Sequence, residues 1–157
     1  MPLLIENRQN RLPLNRSLLE RTVRCALSML ETPEGEISLL LVDDREMTAI
    51  NGEYRGKPGP TNVLAFAMRD GAFSEVEPRL LGDVVISTET ALREAEEMKI
   101  PPEDRIIRLL IHGMLHLFGY DHEASGEEDR RMREKTDEII TEIRSMGLYP
   151  ENGTTAS

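Results

Sequence analysis

The sequence has a single cysteine, Cys25, among its 157 residues. An internal disulfide framework is therefore excluded, and the chain fits a reducing cytosol. Long apolar runs are missing as well. None approaches the roughly 20 residues that span a bilayer, so no membrane partner is expected. The opening residues, MPLLIENRQNR, lack a basic segment followed by an apolar stretch and a cleavage site. They do not read as a signal peptide. Positive charge is scarce, with 19 Lys and Arg against 29 Asp and Glu, a formal net charge of −10. That deficit weighs against nucleic-acid binding, because phosphate contacts need Lys or Arg. The deficit is uneven, however. Residues 1–30 carry Arg8, Arg11, Arg16, Arg21 and Arg24 against only Glu6 and Glu20. Either a local basic face is present on an acidic protein, or these arginines simply solvate a helix.

Internal repeats and low-complexity blocks are absent too. What remains is 39% hydrophobic and 31% charged residues, the balance of an ordinary globular domain. The length suits one core. We expect one catalytic domain over residues 1–149 and a disordered tail over 150–157.

Periodicity supplies the elements. Leu3 to Glu6 reads as a short strand. Asn15 is a plausible N-cap for a helix through about Glu31, with an apolar stripe at Leu19, Val23, Ala26 or Leu27, and Leu30. Cys25 in this helix reads as a buried or half-buried thiol. Ile37 to Val42 reads as a buried strand. Asp43 or Asp44 can cap a short helix through about Asn51, and the glycine- and proline-rich residues 52–62 read as a loop. Strands are expected over Val63 to Met68 and Asp83 to Ser87, separated by an acidic loop over residues 69–81. A helix from Thr88 to near Lys99 stops before Pro101 and Pro102. The helix from about Glu103 to Phe118 is apolar nearly all round and should be central. Ser125 with Glu128 forms a capping box for a last helix ending near Gly147. The expected fold class is α+β: a small mixed four-stranded sheet packed with about five helices. Sheet order cannot be read from this pattern.

All three histidines fall within residues 112–122, HGMLHLFGYDH. His112 and His116 stand four residues apart, which on a helix is about 40° of rotation and about 6 Å of rise. Both imidazoles therefore project from one face and can take two corners of a zinc tetrahedron. Gly119 can end the helix and let the chain turn back, so that His122 supplies a third nitrogen. Three protein ligands leave a fourth position for water, the arrangement of a catalytic zinc. Three imidazoles also suit nickel, copper or iron. The spacing matches the metzincin peptidase pattern at the histidines and the glycine, but Gly113 stands where those enzymes carry their general-base glutamate. Asp121, Glu123 and the zinc-bound hydroxide are alternative bases. Asp121 can instead orient a ligand or cap the turn.

The motif HGMLHLFGYDH resembles the signature of the bacterial YbeY endoribonucleases, H-G-x-L-H-L-x-G-Y-D-H, at every fixed position. The similarity extends to residues 51–66, NGEYRGKPGPTNVLAF, to residues 81–87, LGDVVIS, and to Met132 in the final helix. It covers about residues 37–145. Asn62 stands where the family usually has aspartate, and Ala65 where it usually has serine. Asparagine is a mild change if that aspartate only caps a turn, and a functional one if it acts as a charge near the site. The resemblance implies a zinc-dependent, single-strand-specific endoribonuclease. It implies action in 16S ribosomal RNA 3′-end maturation and ribosome quality control, in the cytoplasm. The implied partners are 16S rRNA precursor and the ribosome or small-subunit proteins, with no DNA and no membrane. The implied catalytic residues are His112 and Arg55. Independently, a guanidinium displayed on a loop could hold a phosphate bidentately, and the bland alternative is an exposed loop arginine. The competing functions are a metallopeptidase of metzincin-like geometry and a non-catalytic zinc-containing ribosome-assembly factor.

Overall fold

The computed structural model describes residues 2–68, 79–120 and 126–147. Four strands form: β1 (Leu3–Asn7), β2 (Glu36–Val42), β3 (Val63–Ala67) and β4 (Leu80–Ser87). They stand in the order β1-β2-β4-β3, the first three parallel and β3 antiparallel to β4. Five helices are α1 (Arg16–Met29), α2 (Asp44–Arg55), α3 (Thr88–Met98), α4 (Pro102–Leu117) and α5 (Gly126–Ser145). The expected α+β class, with a mixed four-stranded sheet and five helices, is what the chain adopts.

Caps explain where the helices start. The side chains of Asn15, Asp43 and Ser87 accept from the backbone N–H groups of Leu18, Glu46 and Thr90, satisfying donors left open by the first turns of α1, α2 and α3. Helix α4 opens with Pro102 in its first turn, where a missing N–H costs nothing. Ser125 of the expected Ser125–Glu128 capping box and the tail over 150–157 lie outside the described residues.

Three boundaries differ from expectation. Helix α2 runs one turn past Asn51 to Arg55 and closes on Gly56 in the left-handed conformation. The glycine-rich loop is therefore shorter than composition suggested. Strand β4 begins at Leu80 rather than Asp83, with a register shift opposite Glu36 and Ile37. Helix α1 ends at Met29, and Glu31 turns the chain at φ 60°.

The sheet has two unlike faces. In β2, Ile37, Leu39 and Leu41 are fully buried, whereas Ser38 and Leu40 are half-buried. The strand expected to be buried throughout is thus alternating, because one face is only partly covered. The fully covered face packs against α1, α4 and α5. There α4 contributes Ile107, Leu110, Ile111, Met114 and Leu115, all essentially without exposure. Each such side chain contributes about 1.5–3 kcal/mol by leaving water. On the other face α2 supplies Met47, which packs on Val42, Leu64 and Val85. Helix α4 is central, as its apolar composition predicted. No helix among the described residues is long and apolar enough to cross a membrane.

Candidate functional site

Helix α4 is apolar toward the sheet and chemical on its outer side. Ile111, Gly113, Met114 and Leu115 are buried, while His112 and His116 are only half-buried. The four-residue spacing does what helical geometry requires. The two imidazoles lie side by side, ring centroids 4.8 Å apart and planes at 69°. Two imidazoles this close on one face could share a divalent ion.

Gly113 sits between them in sequence and faces β4. A Cβ added there would lie 2.6 Å from Val84 Cγ1 and 3.0 Å from Val84 Cγ2. The helix lies so close to β4 that even a Cβ there would have to displace Val84. A glutamate cannot occupy this position, and any side chain there would face the sheet. The missing peptidase base is thus excluded by packing.

Gly119 ends the helix as expected. Its φ is +95°, in the region that L side chains rarely adopt. The N–H of Gly119 bonds to His116 O at 3.0 Å and that of Tyr120 to Leu115 O at 3.0 Å, satisfying the last carbonyls of α4. The Arg131 guanidinium lies 5.8 Å from the Tyr120 ring centroid and tethers this exit to α5. His122, Asp121 and Glu123 lie outside the described residues. Among the described residues, no group of three His, Cys, Asp or Glu could hold a metal; the pair supplies two donors.

Arg55 is not on a loop but at the last position of α2, exposed, where a cation suits the negative end of the helix dipole. Among the described residues it makes no ion pair. Its neighbour Tyr54 rests edge-on against Phe66, with centroids 5.3 Å apart. Asn51 holds the following loop through Nδ2 to Gly59 O at 3.0 Å. That loop leads to Asn62, which lines the same groove as His112. Arg55 itself does not line that groove.

Sequence reasoning missed the groove's own wiring. Asn62 Nδ2 donates to both Glu94 oxygens, at 3.1 and 3.3 Å. Arg105 Nε and Nη2 each reach Glu94 Oε1 at 2.8 Å. The departure at position 62 therefore has a local rationale: an amide donates to Glu94, whereas an aspartate would oppose it. Spacing held a further signal, since Asp104, Arg108 and His112 repeat every four residues on α4. Ala65 lies half-buried in β3, and nothing in the structure explains its replacement of serine.

Other expectations resolve simply. Arg8 pairs with Glu6 and Glu46, and Arg11 with Glu89 at 3.1 Å. Two of the five N-terminal arginines are thus matched locally. Burial pushes the Cys25 thiol up from its ordinary value, as suits a packed, unreactive cysteine.

A mixed sheet under a buried helix that carries paired histidines on its open side defines an α+β protein with a histidine centre on its central helix. The same fold occurs in the solution structure of TM1509 from Thermotoga maritima. The TM-score is 0.60 at 23% identity, over 98% of this chain and 99% of that one. The chain belongs to the family described as Endoribonuclease YbeY, whose match spans residues 4–144. A relative of that name in Geobacter sulfurreducens is 44% identical over 149 residues, 94% of this chain and 99% of its own. Another, in Syntrophotalea carbinolica, is 46% identical over 141 residues, 89% of this chain and 94% of its own. The resemblance read from the motif is borne out, and it reaches further toward the N-terminus than residues 37–145.

Proposed function

We propose that this protein is a zinc-dependent, single-strand-specific endoribonuclease that acts in maturation of the 16S rRNA 3′ end and in ribosome quality control. Membership of the family supports cleavage of RNA. The carrying observation is the half-buried His112–His116 pair, on the side of α4 opposite the fully buried Leu110 and Met114. His122 follows the Gly119 turn and is the third donor of the proposed set. A zinc ion held there supplies activation of water near neutral pH and polarisation of a phosphoryl oxygen. The chain's own contribution is to fix two imidazoles in mutual orientation and to close position 113 to any acidic side chain. Arg55, exposed and without an ion pair among the described residues, binds a substrate phosphate through its forked guanidinium. The single buried cysteine fits a cytoplasmic site of action beside the ribosome or small-subunit proteins.

The test is cleavage of precursor 16S RNA by zinc-loaded protein, by chelated protein and by the zinc-loaded Arg55→Ala variant. Loaded protein should cut, chelated protein should not, and Arg55→Ala should keep its zinc while losing turnover. Undiminished cutting after chelation would end the zinc reading. Unchanged kinetics in Arg55→Ala would remove that residue from the mechanism.

A further inference from the structure

A groove of about 500 Å³ opens off His112, between α4 and α5, within the size range of ligand clefts. Helical spacing builds both walls. On α4, Asp104, Arg108 and His112 stand one turn apart on one face. On α5, Arg133 and Arg144 are eleven residues apart, three turns, and so line the same side. Four arginines enter this groove in a chain whose net charge is −10.

The carboxylates beside them orient the guanidinium groups. Arg108 Nε donates to Asp104 Oδ1 at 2.9 Å, and Arg133 Nε donates to Asp129 Oδ2 at 3.1 Å. Asp104 is buried, so it anchors Arg108 from beneath. The Arg133 side chain remains 70% exposed and binds Asp129 through Nε, with its terminal nitrogens uncommitted among the described residues. Arg105 is different, since two of its nitrogens are spent on Glu94. An arginine held by one edge and open at the other, as Arg133 is, suits a phosphate, which a guanidinium grips bidentately.

We infer that this groove binds the phosphate backbone of the RNA strand flanking the scissile bond, with Arg133 and Arg108 as its contacts. The inference rests on the endoribonuclease reading above. It gives an acidic protein a local hold on RNA: four arginines stand against three aspartates in a groove that starts at His112. Asp137 lies on the same wall, and among the described residues no cation pairs with it. It weakens the strand's grip.

Zinc-loaded enzyme is assayed on single-stranded RNAs of about four and about sixteen nucleotides, the span of single-strand binding sites. Arg133→Glu should raise KM on the long RNA about 10-fold, several times more than on the short one, with kcat little altered. The dependence of log KM on log salt should fall by about 0.7, the share of one phosphate no longer neutralised. Arg133→Lys should recover part of the loss, and Asp137→Asn should lower KM on the long RNA. Arg130→Ala, exposed on α5 outside the groove, sets the background effect of losing one positive charge. Equal losses on both lengths would overturn the assignment, as would a loss no larger than that of Arg130→Ala. So would unchanged RNA kinetics in an Arg133→Glu variant that binds the small ribosomal subunit less well, which would make the groove a protein contact. A wild-type enzyme that cuts neither RNA would defeat the endoribonuclease reading itself, and is thereby told apart.

Discussion

The two sides of helix α4 follow opposite rules. Toward the sheet, Leu110, Ile111 and Met114 have no exposure, and the backbone at Gly113 approaches Val84 too closely for a Cβ. On the outer side, His112 and His116 are half-buried, and His112 lines a groove with charged neighbours. The packed side holds the helix in place and in rotation, and the open side uses that placement. The chemistry of the histidines thus depends on apolar contacts that touch no substrate.

The comparison breaks first at position 113. Gly113→Glu should abolish folding, because it forces a carboxylate into Val84 and an apolar interface. Gly113→Ala should fold with a loss of about 1–3 kcal/mol, the usual cost of overpacking. Thermal melts followed by circular dichroism would show both. A Gly113→Glu protein of wild-type stability would mean that α4 does not sit as tightly on β4 as described.

A smaller effect is expected where α2 and α3 start, at the C-terminal ends of β2 and β4. Burial raises the Asp44 carboxyl. Hydrogen bonds from Ser87 and Thr90, at 2.6 Å each, and from Arg93, at 2.8 Å, outweigh it and hold the carboxyl below its ordinary value. A depressed carboxyl stabilises the fold above the unfolded pKa of about 3.9, and that stability is lost as pH falls through the lower folded value. Asp44→Asn should therefore cost on the order of 1 kcal/mol at neutral pH, a figure reduced for partial exposure, and should flatten the acid limb of stability against pH. Denaturant midpoints at pH 7 and pH 3 check this. An unchanged acid limb would show that Asp44 is not the group involved.

The smallest change is Asn62→Asp. It restores the residue usual in the family but opposes Glu94, so stability should fall by a few tenths to about 1 kcal/mol near neutrality and recover as the pair takes up a proton. Equal melting temperatures across pH 4–7 would mean that the Asn62–Glu94 contact carries no weight.

Much of this architecture is readable from local pattern. The histidine spacing, the Gly119 exit, the Asn15 cap and the central rank of α4 each follow from a few adjacent residues. Sheet order did not follow, because β4 inserts between β2 and β3 through contacts distant in sequence. The extra turn of α2 was hidden by Gly52, which reads as a breaker but is tolerated within the helix. The Asn62–Glu94–Arg105 link joins three elements, and its members carry no motif. The groove was half legible: the stripe of Asp104, Arg108 and His112 is visible at i, i+4, but its facing wall on α5 is known only once the two helices are side by side.

The central claim is that the open face of α4 is a metal centre used to cut RNA. Metal analysis and RNA cleavage on purified wild-type and His116→Ala protein test it most directly. The account predicts about one zinc per wild-type chain, coordination losing one of the three expected imidazoles in the variant, and no RNA cleavage by the variant despite an unchanged fold. Full zinc occupancy in His116→Ala, or undiminished cleavage without it, would contradict the account.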